Sequence, residues 1–188
     1  MVINQKETQF VLEVDCLDQP LRLVEKHEAH FNGILHRAFS IFVFRQLGTS
    51  LQLLLQQRAF GKYHSEGLWT NTCCSHAGND SLEKIARNRL QTEMGFSCEL
   101  HPAGSFYYKA DVGNGMMEHE IDHVFVGLHN PQVVQPNPEE VQDYQWRDVE
   151  TLLELSSEQR KEFTVWFFQV FELALKFIKL HEWENLKE

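Results

Sequence analysis

Apolar positions along the chain fall into short blocks separated by polar turns. Residues 38–44 (AFSIFVF) and 51–57 (LQLLLQQ) are two such blocks, and Arg45–Ser50 between them carries Gly48 among polar residues, the pattern of a β-hairpin. Thr70–His76 reads as extended, with Thr and Cys alternating. Over Asp80–Met94 the period lengthens to that of a helix: Leu82, Ile85, Ala86 and Leu90 form one apolar arc. Asp80 and Glu83 have the spacing of a capping box and Gly95 follows the end. Phe106–Ala110 and Glu118–Leu128 read as strands about a turn at Gly113–Gly115, Pro131–Pro138 as a loop, and Tyr144–Arg147 as a short strand. The apolar run from Ser157 to about residue 185 predicts one long C-terminal helix, with Ser156 and Gln159 as its cap. No element is predicted for residues 1–20, which are expected to be mobile. Strands and helices in this order predict a single domain over residues 1–188, of α/β (α+β) class with a mixed sheet. No glycine-rich phosphate fingerprint follows a strand, which argues against a doubly wound nucleotide fold.

Charge narrows the partners. The 188 residues include 27 acidic and 17 basic side chains, a formal charge of −10, which repels a phosphate backbone and predicts no nucleic-acid partner. An anionic ligand therefore needs a locally basic pocket or a metal. No apolar run is long enough to span a membrane, and Met1–Asp15 has no apolar signal core. Four cysteines, two of them adjacent at 73 and 74, do not make a disulfide scaffold, so a reduced, cytoplasmic protein is expected.

Four features carry candidate chemistry. Arg89 and Glu93 fall in the middle of the apolar arc of the 80–94 helix, either as an i, i+4 ion pair or facing a charged ligand or metal. Glu118 and Glu120 share one face of a strand and Asp122 extends the row, so a cation or a shared proton is expected between them unless the strand edge is solvated. Cys74 and His76, also two apart, aim thiol and imidazole into one space; a buried structural cysteine beside a surface histidine is the plainer alternative. His27, His30 and His36 cluster before the first apolar strand in a chain with ten histidines. Three imidazoles and two carboxylates would neutralise a divalent ion and leave one coordination position open. That nitrogen and oxygen set suits Mn²⁺, Zn²⁺ or Mg²⁺.

The string Trp69-Thr70-Asn71-Thr72-Cys73-Cys74-Ser75-His76, followed by Glu118-His119-Glu120-Ile121-Asp122, resembles the type 1 isopentenyl-diphosphate delta-isomerases. Glu25-Lys26, Arg58-Ala59-Phe60-Gly61-Lys62 and Asn137-Pro138-Glu139-Glu140-Val141 fit the same family, in order from about residue 21 to 170. The resemblance implies a Nudix-type α/β/α sandwich and interconversion of isopentenyl and dimethylallyl diphosphate in isoprenoid biosynthesis. It implies one tightly held divalent metal on His30, His36, His76, Glu118 and Glu120, with His27 as the substitute for His30. Cys74 and Glu120 would be the acid/base pair on opposite sides of the substrate, with Tyr108 supporting Glu120. Glu93 would hold a second ion, Mg²⁺, that arrives with the diphosphate. Lys26, Arg58, Lys62 and Arg89 would contact the diphosphate, and Trp166 would line the hydrocarbon end of the pocket. Phe163, Phe167 and Val170, on the same predicted stripe as Trp166, read as core.

Two positions depart from the family pattern: Glu66 and Ala77 stand where prolines are usual. Two rival activities remain. A Nudix diphosphohydrolase needs further carboxylates on the 88–95 stretch, where only Glu93 is present; a non-catalytic metal-binding domain would not need Cys74 and Tyr108. The expected partner is a small diphosphate, with neither nucleic acid nor membrane, and both monomer and homodimer fit.

Overall fold

The computed structural model describes residues 10–78 and 80–181. Among them the elements run β1 (Phe10–Val14), β2 (Pro20–Glu25), α1 (Lys26–Asn32), β3 (His36–Leu47), β4 (Ser50–Arg58), β5 (Trp69–Thr70) and β6 (Cys73–His76). Then follow α2 (Leu82–Met94), β7 (His101–Gly113), β8 (Met116–Leu128), β9 (Val141–Asp148), α3 (Val149–Leu153), α4 (Ser157–Arg160) and α5 (Phe167–Leu180).

The sheet is organised around β3. Parallel β8 lies along one edge, pairing His36 with Glu120 and continuing to Phe44 with Leu128. The other edge is shared in succession by β1, β6 and β4, all antiparallel. β7 extends the sheet beyond β8, and β9 pairs with β4. The result is a mixed sheet, as the sequence predicts.

Each face of β3 has its own helix. Phe39, Ile41 and Val43 alternate onto one face and pack with Ala86, Leu90 and Met94 of α2. Phe42 and Phe44 alternate onto the other and pack with Phe167, Val170, Phe171 and Ala174 of α5. Each large side chain so buried contributes roughly 1.5–3 kcal/mol, and together they close an α/β/α sandwich. The α5 face of β3 is apolar only from Phe42 onward. Its first half presents His36, Ala38 and Ser40, and the functional cleft lies over this stretch.

Several sequence expectations are corrected. Residues 10–14 form a strand of the β1–β2 hairpin, whereas residues 1–9 lie outside the described residues. The hairpin leaves little pattern in the sequence because β2 is mostly exposed and Leu21 and Leu23 point to solvent, so burial imposes no alternation. The C-terminal helix expected over 157–185 is two helices. Trp69 N–H donates to Glu162 O (2.8 Å) and Thr164 N–H to Trp69 O (2.9 Å), and this backbone pairing interrupts the helix between α4 and α5. The Ser156–Gln159 capping box is present but caps α4 alone, and residues 182–185 are not described. The N-cap of α2 is Ser81, with no side-chain capping bond, in place of the expected Asp80–Glu83 box. Gly95 ends that helix at φ +78°, and a Cβ there would lie 2.5 Å from the Gln135 carbonyl oxygen, so only glycine lets the 131–140 loop dock.

Candidate active site

The register of β3 explains why distant residues meet. Glu120 of β8 lies beside His36, and Asp122 beside Ala38. On the opposite edge His76 of β6 pairs with Ala38 and Cys74 with Ser40. The period of two then puts His36, Cys74, His76, Glu118, Glu120 and Asp122 on one face. β6 is held by side chains that substitute for missing ladder bonds. Thr72 Oγ1 donates to Leu54 O (2.6 Å) while accepting from Val43 N–H (2.9 Å), and Asn71 Nδ2 donates to Ile41 O and Cys73 O.

His30 reaches the same place from α1. The helix starts at Glu25, whose carboxylate accepts from Glu28 N–H (2.9 Å), and ends at Gly33 in the left-handed region. One candidate nitrogen or oxygen from each of His30, His36, His76 and Glu118 lies within 4.8 Å of the others, and all four residues are buried. The Nδ1 of His30 faces Lys26 O (2.7 Å) and that of His36 faces Ile34 O (2.8 Å). Carbonyl oxygens only accept, so each Nδ1 carries the proton and, in the neutral ring, each Nε2 offers its lone pair inward. His36 Nε2 and Glu118 Oε2 are buried without a hydrogen-bond partner. Orphaned nitrogen and carboxylate oxygen atoms facing one another fit a divalent cation. His27, the alternative to His30, is exposed against Tyr63 and outside the group.

The carboxylates are strongly differentiated. Burial alone would raise the Glu118 carboxyl, but the neighbouring His30 and His64 imidazoles outweigh it and hold it well below the ordinary carboxylate range. Glu120 is pushed upward by burial and by the Glu118 charge, with His36 and Tyr108 opposing. Tyr108, opposite Glu120 in the β7–β8 register, donates its hydroxyl to Glu120 Oε2 at 2.6 Å. Glu120 Oε1 is 3.4 Å from His36 Nε2 and 3.2 Å from His76 Nε2. Burial, then the neighbouring His36, Lys26 and His30, keeps His76 well below its usual range and hence neutral. Burial pushes the Cys74 thiol up to about 12, against the pull of Arg58. Trp166 is buried and lines the cleft with its ring 6.5 Å from Tyr108, whereas Phe163, Phe167 and Val170 belong to the core.

The other end of the cleft is cationic. Lys26, Arg58, Lys62 and Arg89 all line it, together with Glu93 and Glu140. Arg58 and Lys62 are brought together by a loop after β4, not by the helical turn their spacing allows. Arg89 donates to Glu93 Oε1 (2.6 Å) and lies 3.0 Å from Glu140 Oε1, and Lys62 pairs with Glu140 Oε2. The i, i+4 pair is thus realised, and both of its members line the cleft. Gln56 Nε2 donates to the second oxygen of Glu93 (3.1 Å). The free space in the cleft, about 50 Å³, is room for an ion or a few waters.

Residues 34–167 match the NUDIX domain. Over 180 residues the chain is 47% identical to the isopentenyl-diphosphate Delta-isomerase of Burkholderia multivorans, an alignment spanning 95% of this chain and 99% of that protein. The chain belongs to the isopentenyl-diphosphate Delta-isomerase family. The Serratia proteamaculans isopentenyl-diphosphate Delta-isomerase is 45% identical over 86% of this chain and 89% of its own. Among solved structures, the MutT protein of Methanosarcina mazei superposes with a TM-score of 0.61 at 17% identity, over 79% of this chain and 96% of that one. That likeness establishes the Nudix fold.

Against this family pattern, the two departures from proline acquire local roles. Ala77 N–H donates to Arg37 O (2.9 Å), a bond proline lacks, and the Glu66 carboxylate accepts from Gly61 N–H (2.8 Å) within the loop. Among the cleft residues that sequence reasoning missed are His64, Gln56 and Glu140. Gln56 sits at an even position of β4 and is buried, a signal that an apolar strand pattern hides. Glu140 enters the sequence pattern only as part of the Asn137–Val141 motif, and His64 lies in a loop with no periodicity. Among the described residues, no helix is long and apolar enough to cross a membrane.

Proposed function

We propose that this chain interconverts isopentenyl and dimethylallyl diphosphate, with Cys74 and Glu120 as the proton-transfer pair. The observation that carries the reading is the placement of these two groups on opposite edges of one strand, facing one cleft, in a chain that aligns end to end with isomerases. Conversion adds a proton to the terminal alkene carbon and removes one from the carbon two bonds away, so atoms and charge balance without a redox partner. One of the two residues gives its proton as the other takes one, and the reverse reaction exchanges their roles.

The intermediate charge sits on a tertiary carbon with no heteroatom to share it. The Trp166 indole face supplies attraction that reaches about 2 kcal/mol for a desolvated cation. The aromatic wall of Trp166 and Tyr108 keeps out water that would capture the cation. The Tyr108 hydroxyl stabilises the Glu120 carboxylate by its short hydrogen bond.

His30, His36, His76, Glu118 and Glu120 would hold the divalent ion, Mn²⁺, Zn²⁺ or Mg²⁺. Bound there, it supplies positive charge beside Glu120, which lowers that carboxyl's proton affinity. Glu93 would take a Mg²⁺ that enters with the diphosphate. Glu93 is already engaged by Arg89 and Gln56, so it would hold that ion only by giving up part of these bonds. Lys26, Arg58, Lys62 and Arg89 would bind the diphosphate, with Lys62 and Arg89 exchanging Glu140 for phosphate oxygens.

The test is incubation with labelled isopentenyl diphosphate and Mg²⁺. Dimethylallyl diphosphate appearing without phosphate release is the expected result. Phosphate release would indicate a diphosphohydrolase, and no turnover a binding domain.

A further inference from the structure

His64 is the buried imidazole that the reaction chemistry does not use. It sits in the loop between β4 and β5, only 4% exposed. Its Nε2 lies 3.1 Å from Glu118 Oε1, and its Nδ1 lies 3.1 Å from Ser65 Oγ. A carboxylate only accepts, so Nε2 carries the proton and the Ser65 hydroxyl donates to Nδ1. His64 is not a member of the mutually close group formed by His30, His36, His76 and Glu118. It engages Glu118 Oε1, whereas Oε2, 3.3 Å from His30 Nε2, has no hydrogen-bond partner.

The loop is shaped to hold this imidazole. Ser65 adopts φ +51°, a left-handed conformation that is unfavourable for a residue with a Cβ and persists only where surrounding contacts enforce it. Arg58 supplies two such contacts, donating from Nη2 to His64 O (3.2 Å) and from Nε to Ser65 O (3.1 Å). The ring also lies roughly perpendicular to that of Trp166, with centroids 6.2 Å apart. A histidine needed only as core filling requires neither a fixed tautomer nor a serine held in this conformation.

We propose that His64 is a positioning residue for the metal centre: its Nε2–H fixes one oxygen of Glu118 so that the other faces the ion, and Ser65 locks the tautomer that does so. The inference rests on the metal reading of the His–Glu cluster. Outer-shell partners of this kind typically change metal affinity 10- to 100-fold when removed.

The test is titration of the metal-stripped full chain with Zn²⁺ alone against a colorimetric zinc chelator, with folding followed by circular dichroism. Wild type is expected to bind one equivalent, His64→Phe to bind about 10- to 100-fold more weakly, and His64→Gln to recover most of the loss, because its amide N–H can reach Glu118. Ser65→Gly removes the hydroxyl but relieves the φ +51° conformation. Its affinity is expected to fall although its thermal midpoint is unchanged or higher. A folded His64→Phe that binds Zn²⁺ like wild type overturns the assignment. If His64→Phe does not fold, Ser65→Gly decides, and undiminished affinity overturns it. Wild type that binds no Zn²⁺ overturns the metal reading and the assignment together.

Discussion

The two ends of the cleft handle charge in opposite ways. At the His–Glu end the groups sit on strands and a short helix, are buried, and leave His36 Nε2 and Glu118 Oε2 without partners. At the cationic end the groups sit on the start of α1, the end of β4, α2 and two loops, and Arg89 is already matched with Glu93 and Glu140, and Lys62 with Glu140. The contrast teaches two modes of recognition. Buried orphan atoms are costly without a permanent occupant, so the strand-built end is suited to a resident ion. Ion pairs that can be traded for phosphate oxygens suit a ligand that must arrive and leave. Cys74 and Glu120 lie where the two ends meet.

The largest expected effect is on that junction. Cys74→Ala and Glu120→Gln should each lower kcat by about 10²–10⁴-fold. Cys74→Ala should do so with fold and metal content intact, and a near-normal kcat would remove Cys74 from the chemistry. Next is the resident-ion end. His36→Ala should lose the tight metal, and chelation of the wild-type chain should lower its stability. The expected loss is about 2.7 kcal/mol relative to metal at 100 times its Kd, read from urea unfolding. Equal stability with and without chelator would erase the distinction between the ends. At the exchanging end, Glu93→Gln should raise KM for the diphosphate and its Mg²⁺ requirement about tenfold, or about 1.4 kcal/mol, while the tight metal stays. Loss of the tight metal instead would mean the two ends are interchanged.

At neutral pH the thiols have no such effect, and theirs appears only on the alkaline side. Cys74 and Cys98 are pushed by burial from an ordinary value of 9.0 to about 12. Each holds its proton longer in the folded chain, so their contribution to stability is full below pH 9 and lost as the pH rises toward 12. Each adds a slope of at most about 1.4 kcal/mol per pH unit. Cys74→Ala should make the alkaline slope of unfolding free energy shallower by one thiol's share. An unchanged slope would place Cys74 in a more solvated position than the cleft described here.

Much of the strand-built end was legible because strand periodicity is short-range. Glu118 with Glu120, and Cys74 with His76, share faces by the period of two alone. What one sequence does not display is which edge of β3 receives β6 and which receives β8, a choice made by long-range pairing that brings residue 74 opposite 40 and 120 opposite 36. The exchanging end was less legible. Arg89 and Glu93 stood out against an apolar arc, but Glu140 lies on a loop, where neither period nor propensity assigns a direction, and at the strand-built end His64 is hidden for the same reason. The break in the predicted C-terminal helix has the same origin: Thr164 and Glu162 bond to Trp69, almost one hundred residues away, and that pairing overrides a local helical preference.

Turnover in D₂O, followed by proton NMR, tests the central claim most directly. If Cys74 and Glu120 exchange protons with solvent between turnovers, isopentenyl diphosphate should yield dimethylallyl diphosphate carrying deuterium in a methyl group, with no phosphate released. Product free of solvent deuterium, or released phosphate in its place, would contradict the account.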